Sequence, residues 1–192
     1  MKTMEFDKKT HTYTIEGRTL PSVSEVMSPL SSKYYEGIPD GKLEIARKRG
    51  TEVHEAIDDF LTFGTFNVKY IGYVQNFVSF LERENLEVVY NEHRLTNGIY
   101  CGTVDLICVD AYGVHHLVDL KATHKVNHEL IRVQLCAYRH LCLQNDVPIA
   151  KCHVLLLKST NYSYSEVTPD EETWRKLLSE YANKVYIDQS EH

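Results

Sequence analysis

Asp105, Asp119 and Lys121 are the residues of this chain whose types and spacing could do chemistry. They stand in Gly102-Thr-Val-Asp105 and Asp119-Leu-Lys121, on two β-rich runs joined by Ala111-Tyr-Gly113. A three-residue loop ending in glycine suits a type I turn closed by a left-handed glycine bulge. If Asp110 pairs with Val114, the register sets Asp105 opposite Asp119 and Thr103 opposite Lys121. Directly opposed residues share a face, with Cβ atoms roughly 4.5–5.5 Å apart. Two carboxylates that close repel unless a cation sits between them. A hard divalent cation with oxygen ligands answers that need, and Lys121 lies two residues along the same face. A register slipped by one would put the carboxylates on opposite faces and leave a merely structural hairpin.

Two helices are expected to position what joins this pair. In Lys42 to Leu61 the residues Ile45, Ala46, Val53, Ile57, Phe60 and Leu61 form an apolar helical stripe. Gly50 reads as a point of close approach, and His54 borders the buried face, either as a packed ring or as a ligand. Glu129 to Leu143 is a second helix, on which Gln134 and Tyr138 lie one turn apart. They can point a hydrogen-bonding pair at one target, or they are two half-buried helix residues.

The ordered set Arg49-Gly-Thr-x-x-His54, Gly102-x-x-Asp105, Asp119-x-Lys121 and Gln134-x-x-x-Tyr138 resembles the PD-(D/E)XK nuclease superfamily. It is most similar to the RecB-type branch, which includes phage exonucleases and single-domain recombination nucleases. The match spans about residues 45–140 in the order helix, strand, hairpin, helix. The resemblance implies an α/β fold with a restriction-endonuclease-like core, a mixed central sheet flanked by helices. It implies Mg²⁺ or Mn²⁺ held by His54, Asp105, Asp119 and the carbonyl of Leu120. In that reading Lys121 positions or deprotonates the attacking water, and Gln134 and Tyr138 contact DNA. Glu92, on the strand before the hairpin, matches a less constant acidic position. Imidazole is softer than carboxylate, which tilts such a site toward Mn²⁺. Iron–sulfur relatives need one cysteine well before the histidine motif and three clustered near the C-terminus. Here Cys101, Cys108, Cys136, Cys142 and Cys152 form no C-x-x-C pair, so no iron–sulfur cluster is expected. No helicase-type phosphate loop occurs, and any motor would be another chain.

The chain has 192 residues, 43% of them hydrophobic, and a formal charge of −6. That is enough for one domain with an ample core. The acidic balance argues mildly against a generic DNA binder. Metal ions would offset site carboxylates, however, and local basicity matters more than the sum. The dense basic cluster, Lys42 with Arg47-Lys48-Arg49, leads directly to His54; it is either a solvated face or a phosphate contact, and Arg47 and Arg49 are expected substrate contacts. Aliphatic surroundings read the five cysteines as reduced core residues of a cytoplasmic protein. No apolar run is long enough to span a membrane, and no signal peptide is expected. His124 and His128 are four apart, as are Cys136 and His140, a spacing compatible with metal binding. Nothing in the sequence ties the four into one site, and a structural zinc is not expected.

The expected organisation is a single nuclease domain over 1–192. An N-terminal part covers 1–41: a small hairpin from Glu5 to Gly17, a short helix opened by the capping box Ser22 to Glu25, and a loop from Ser28 to Gly41. In that loop Tyr34 and Tyr35 could stack on bases. The core covers 42–167, with a helix over 70–86 buried through Val74, Phe77, Val78 and Leu81. Its strands lie near 88–95, 101–109, 114–121, 150–158 and 162–167. A capping box at Thr168-Pro-Asp-Glu171 launches a last helix over 168–187, and 188–192 is a tail. The function implied is a metal-dependent DNA exonuclease of phage or recombination type, with DNA and a recombination or annealing protein as partners and no membrane. Ring-forming relatives trimerise, so an oligomer is compatible, though no segment marks its interface. The rivals are an endonuclease with the same core, a non-catalytic nucleic-acid-binding subunit, and an unrelated α/β protein with a structural hairpin.

Overall fold

The computed structural model describes residues 4–7, 10 and 12–190, with side chains described as far as residue 184. The tip of the expected N-terminal hairpin (residues 8, 9 and 11) and the last two residues of the expected tail lie outside these. Beyond Ile15 the chain adds a third strand to that hairpin. The result is a three-stranded antiparallel meander, β1 (Met4–Asp7), β2 (Thr12–Ile15) and β3 (Arg18–Leu20).

Ser22 then caps α1 (Val23–Val26) through a complete capping box, its hydroxyl accepting from the Glu25 amide and the Glu25 carboxylate from the Ser22 amide. The loop expected from Ser28 is in its first part a helix, α2 (Ser28–Tyr35). Proline in the first helical turn needs no intrahelical N–H partner and is already set to a helical φ. Leu30 and Tyr34 supply the apolar side that packs on the core. Helix α3 runs from Asp40 to Phe63 and stops at Gly64, whose φ of 68° is the left-handed cap. Its first half stands away from the core: Ile45 is 68% exposed, whereas Val53, Ala56 and Ile57 are buried. Gly50 has open space around it, so it is not the close approach expected. In α4 (Ile71–Glu84) the buried face is Val74, Phe77 and Phe80, with Leu81 partly covered; Phe80 takes the place expected for Val78.

A mixed five-stranded sheet comes next, in the order β4 (Leu86–Thr96), β5 (Cys101–Asp110), β6 (His115–Lys121), β7 (Lys151–Leu157), β8 (Tyr162–Glu166). Its one parallel joint, β6 to β7, is made through α5 (His128–Gln144), as a parallel pair requires a crossover. On one face Val23, Ile107, Leu117, Cys136, Leu141 and Trp174 form one core under α1, α5 and the last helix α6 (Glu171–Ser190). On the other, Val53, Ile57, Phe77, Phe80, Val118 and Leu155 form a second core under α3 and α4. The chain is thus a three-layer α/β protein with a mixed central sheet flanked by helices. Helix α6 starts at Glu171, and its Thr173 N–H is capped by Asp170 in place of Thr168. Thr168 is occupied otherwise, its carbonyl accepting from Arg132 Nε. The helix continues through Ser190, past the end expected near Ile187. All five cysteines are buried free thiols.

Candidate metal centre

The turn Ala111-Tyr-Gly113 forms as its sequence requires. Asp110 N–H donates to Val114 O at 3.1 Å, Gly113 N–H to Asp110 O at 3.0 Å, and Gly113 has a φ of 77°. The ladder runs in the expected register from Val109 opposite His115 to Leu106 opposite Val118. One pair further on, where Asp105 and Asp119 would meet, the strands part. An Asp105 oxygen takes over the strand's role and accepts the Leu120 N–H at 2.8 Å.

The neighbouring strand bends at the same level. Glu92 has a φ of 45°, a left-handed conformation costly for a residue with a Cβ, and the β4–β5 partners skip from Asn91–Leu106 to His93–Val104. Two-residue alternation in β5 breaks with it. Leu106 and Cys108 belong to the core under α3 and α4, whereas Val104 belongs to the core under α5. The kink lets Glu92 and Asp105 turn toward α3, where His54 waits. His54 Nδ1 lies 3.2 Å from Glu92 Oε1 and 3.7 Å from Asp105 Oδ1, and its Nε2 lies 3.0 Å from the Leu120 carbonyl. Ligand atoms of these three side chains all lie within 4.8 Å of one another. Beside them, with Asp58 and Asn91 also in the wall, is a cavity of about 10 Å³, room for roughly one water-sized sphere.

Burial alone would drive the His54 pKa down, but the carboxylates of Asp105 and Glu92 outweigh it and push it up to about 9. The imidazolium is therefore the cation that keeps the two carboxylates together. Asp119 stands one step aside. Its side chain is only 2% exposed, and both its oxygens lie within 2.8 Å of Lys121 Nζ, yet Oδ2 has no aligned hydrogen bond. Burial pushes the Asp119 carboxyl up, Lys121 pulls it back, and Asp105 raises it further. At Lys121 burial opposes the charge, but Asp119 and Asp105 outweigh it and hold the ammonium above its ordinary range. These residues suit a hard divalent ion. Three ligand-bearing side chains converge, the buried Asp119 carboxylate has one oxygen without an aligned hydrogen bond, and a proton on His54 supplies the positive charge that an ion would replace.

From Lys121 a cleft of about 590 Å³ opens between α2, α3 and α5. Lys42, Arg47, Arg49, Lys121 and Lys125 line it, so of the expected basic cluster only Lys48 lies elsewhere. Arg49 is held in place by donating from Nε to the Ala122 carbonyl at 3.0 Å. Gln134 and Tyr35 also line the cleft. Tyr138 does not. Its ring is buried in the core under α5, and its hydroxyl end, 3.5 Å from Gln134 Nε2, feels the charges of Asp105 and Asp119. Close approaches in this fold are at Gly72, where an added Cβ would run into the Ser159 carbonyl, and at Gly102, where it would lie 2.6 Å from Tyr138 Cε1 and 3.2 Å from Val23 Cγ2. Gly102→Ala is therefore expected to cost about 1–3 kcal/mol of stability by overpacking, read from the urea midpoint, and an unchanged midpoint would refute the packing.

Sequence reasoning left Glu92 without a role and missed Lys125. The positive φ that turns Glu92 inward arises from tertiary packing and has no glycine or asparagine to announce it. Lys125 lies outside the motifs that drew attention. His124 also lines the cleft and His128 opens α5, and among the described residues neither joins a metal-capable group.

Compared with known proteins, the chain matches no protein-family model and no curated protein. Among solved structures, the crystal structure of SSO0001 is similar over 92% of this chain and 80% of that chain, at 12% identity and a TM-score of 0.41. A likeness this slight carries no argument about function. No helix among the described residues is long and apolar enough to cross a membrane.

Proposed function

We propose that this chain is a divalent-metal-dependent deoxyribonuclease of the PD-(D/E)XK type, acting on DNA ends as a cytoplasmic exonuclease alongside a recombination or annealing protein. The observation that carries the reading is the convergence of His54, Glu92 and Asp105 beside the Asp119–Lys121 pair, with Lys121 lining a cleft that also presents Lys42, Arg47, Arg49 and Lys125. His54, Glu92, Asp105 and Asp119 would hold Mg²⁺ or Mn²⁺. The Leu120 carbonyl, 3.0 Å from His54 Nε2, keeps a second lone pair with which it could join them. When bound, such an ion neutralises phosphate charge and lowers the pKa of a coordinated water.

The chain's own groups do the rest. Lys121, kept charged by its two carboxylate neighbours, offsets the negative charge that grows on the phosphorus oxygens and orients the attacking water. Arg47, Arg49, Lys42 and Lys125 grip phosphates along the cleft, contacts that position a strand without reading its sequence. Gln134 faces the same cleft and can bond the strand near the cut. The acidic net charge is no obstacle, because five Lys and Arg residues and no Asp or Glu line this groove.

Incubation with end-labelled single- and double-stranded DNA in Mg²⁺, Mn²⁺ or EDTA tests the reading. Metal-dependent release of label is expected, and no cleavage with either metal refutes it. Cutting of covalently closed circles at rates comparable to linear DNA would replace the exonuclease by an endonuclease. Tyr138→Phe separates a role at the DNA from a role in the core. The hydroxyl lies outside the cleft and its long Gln134 contact contributes less than about 1 kcal/mol, so the unfolding midpoint and KM for DNA are both expected to hold. A raised KM with an unchanged midpoint would bring the hydroxyl to the DNA.

A further inference from the structure

Helices α5 and α6 meet at a second cluster that the nuclease reading does not use. Cys136 and His140, one turn apart on α5, face Glu171, the first residue of α6. His140 Nε2 lies 3.1 Å from Glu171 Oε1 and 2.9 Å from Oε2. The sulfur, a ring nitrogen and a carboxylate oxygen all lie within 4.8 Å of one another. Ligands of one zinc ion sit about 2.0–2.3 Å from it, so small side-chain rotations bring this triad to a common centre. Cys136 is fully buried, while the side chains of His140 and Glu171 are 30% and 38% exposed. That leaves a path for the ion and an open side for a water as fourth ligand.

We propose that Cys136, His140 and Glu171 form a zinc site that clamps α6 to α5. The charges close. One thiolate and one carboxylate balance a divalent ion, imidazole binds neutral, and the thiol proton leaves to solvent. A thiolate with an imidazole selects Zn²⁺ over Mg²⁺, the reverse of the oxygen-rich centre around Asp105. The sequence held half of this site in the Cys136 and His140 spacing. The missing ligand is 31 residues from His140 along the chain and is delivered only by the packing of α6. The neighbouring ties fix that delivery: Arg132 Nε donates to Thr168 O at 3.0 Å, and Asp170 N–H donates to Arg132 O at 3.1 Å.

The site stands independently of the nuclease reading, and its test does not depend on cleavage. Co²⁺ titrated into the whole, reduced protein is expected to give a saturable near-ultraviolet thiolate-to-cobalt absorption that is lost on adding Zn²⁺. No other proposed ligand in the molecule is a thiol. His140→Ala and Glu171→Gln change partly exposed side chains, so both are expected to stay folded by circular dichroism and to lose the band. Asp105→Asn is expected to keep it, and in that background Zn²⁺ should raise the unfolding temperature, an increase that His140→Ala removes. Absence of the band in the wild-type protein overturns the proposal. So does a band that persists in both His140→Ala and Glu171→Gln, which would place the ion on another cysteine.

Discussion

Alanine at Lys121 is expected to cut the rate of DNA cleavage by roughly 10²–10³-fold, about 3–4 kcal/mol of transition-state stabilisation, while Mn²⁺ binding measured by calorimetry stays close to wild type. A protonated ammonium is no ligand, so the loss falls on the chemical step. Asp119→Ala is expected to abolish cleavage outright and to weaken Mn²⁺ binding, because it removes a carboxylate adjoining His54, Glu92 and Asp105. The two variants also differ in the folded state. Without Lys121 the buried Asp119 carboxylate loses the ammonium that pairs it, a charge that bound Mn²⁺ replaces. Without Asp119 an ammonium only 26% exposed loses its closest partner, at a cost of about 1–3 kcal/mol. Asp119→Asn, which leaves a hydrogen-bond acceptor, should recover part of that stability and none of the activity. Near-wild-type cleavage by Lys121→Ala would take this residue out of the mechanism.

Acid should weaken the fold through His153, well away from the proposed chemistry. Its ring stacks between His116, centroids 5.2 Å apart, and Tyr164, at 4.4 Å, and its Nδ1 is buried with no hydrogen-bond partner. Burial, with the His116 charge adding to it, pushes its pKa from 6.5 down to about 4; Glu166 opposes the fall and Lys151 reinforces it. Between those two values the unfolded chain binds a proton that the folded chain refuses. This stability is therefore full above 6.5 and is lost as pH falls toward 4, by about 2–3 kcal/mol from pH 7 to about pH 4.5. His153→Phe keeps the stack and removes the titration. Urea unfolding at the two pH values should show a loss smaller by that amount in the variant, and equal losses in both proteins would contradict the assignment. His54 works in the opposite direction: its pKa is raised to about 9, so its contribution is full below 6.5 and fades as pH rises through 9.

The sheet and most helices were legible because their signals are local. The hairpin register could be read from a three-residue loop and a period of two, and Val154 to Leu157 declared a buried strand by composition. Helix α2 is obscured in the sequence because a proline suits a loop as well as a first helical turn, and here Pro29 starts a helix. Ile45 followed the helical stripe but lies where α3 leaves the core. At the site, Asp105, Asp119 and Lys121 could be named from spacing, and His54 only through the resemblance that the ordered motifs carry. How they are arranged could not be. The tight trio takes Glu92 and leaves Asp119 with Lys121, since the deciding event is a backbone kink at Glu92 and the parting of two strands.

The turn at Ala111 to Gly113 is the most exposed part of the hairpin, with Tyr112 92% open to solvent, and lies about 17 Å along the strand from Asp105. No group in it takes part in binding or reaction, so it has the look of a loop free to vary. Its length nevertheless sets which residue of β6 comes level with Asp105. One residue added or removed there would slide Leu120 out of reach of the Asp105 carboxylate and bring a different side chain beside Lys121's partner position. Substitutions at 111 and 112 can drift, whereas insertions and deletions cannot. The loop acts as the gauge of a centre it never touches.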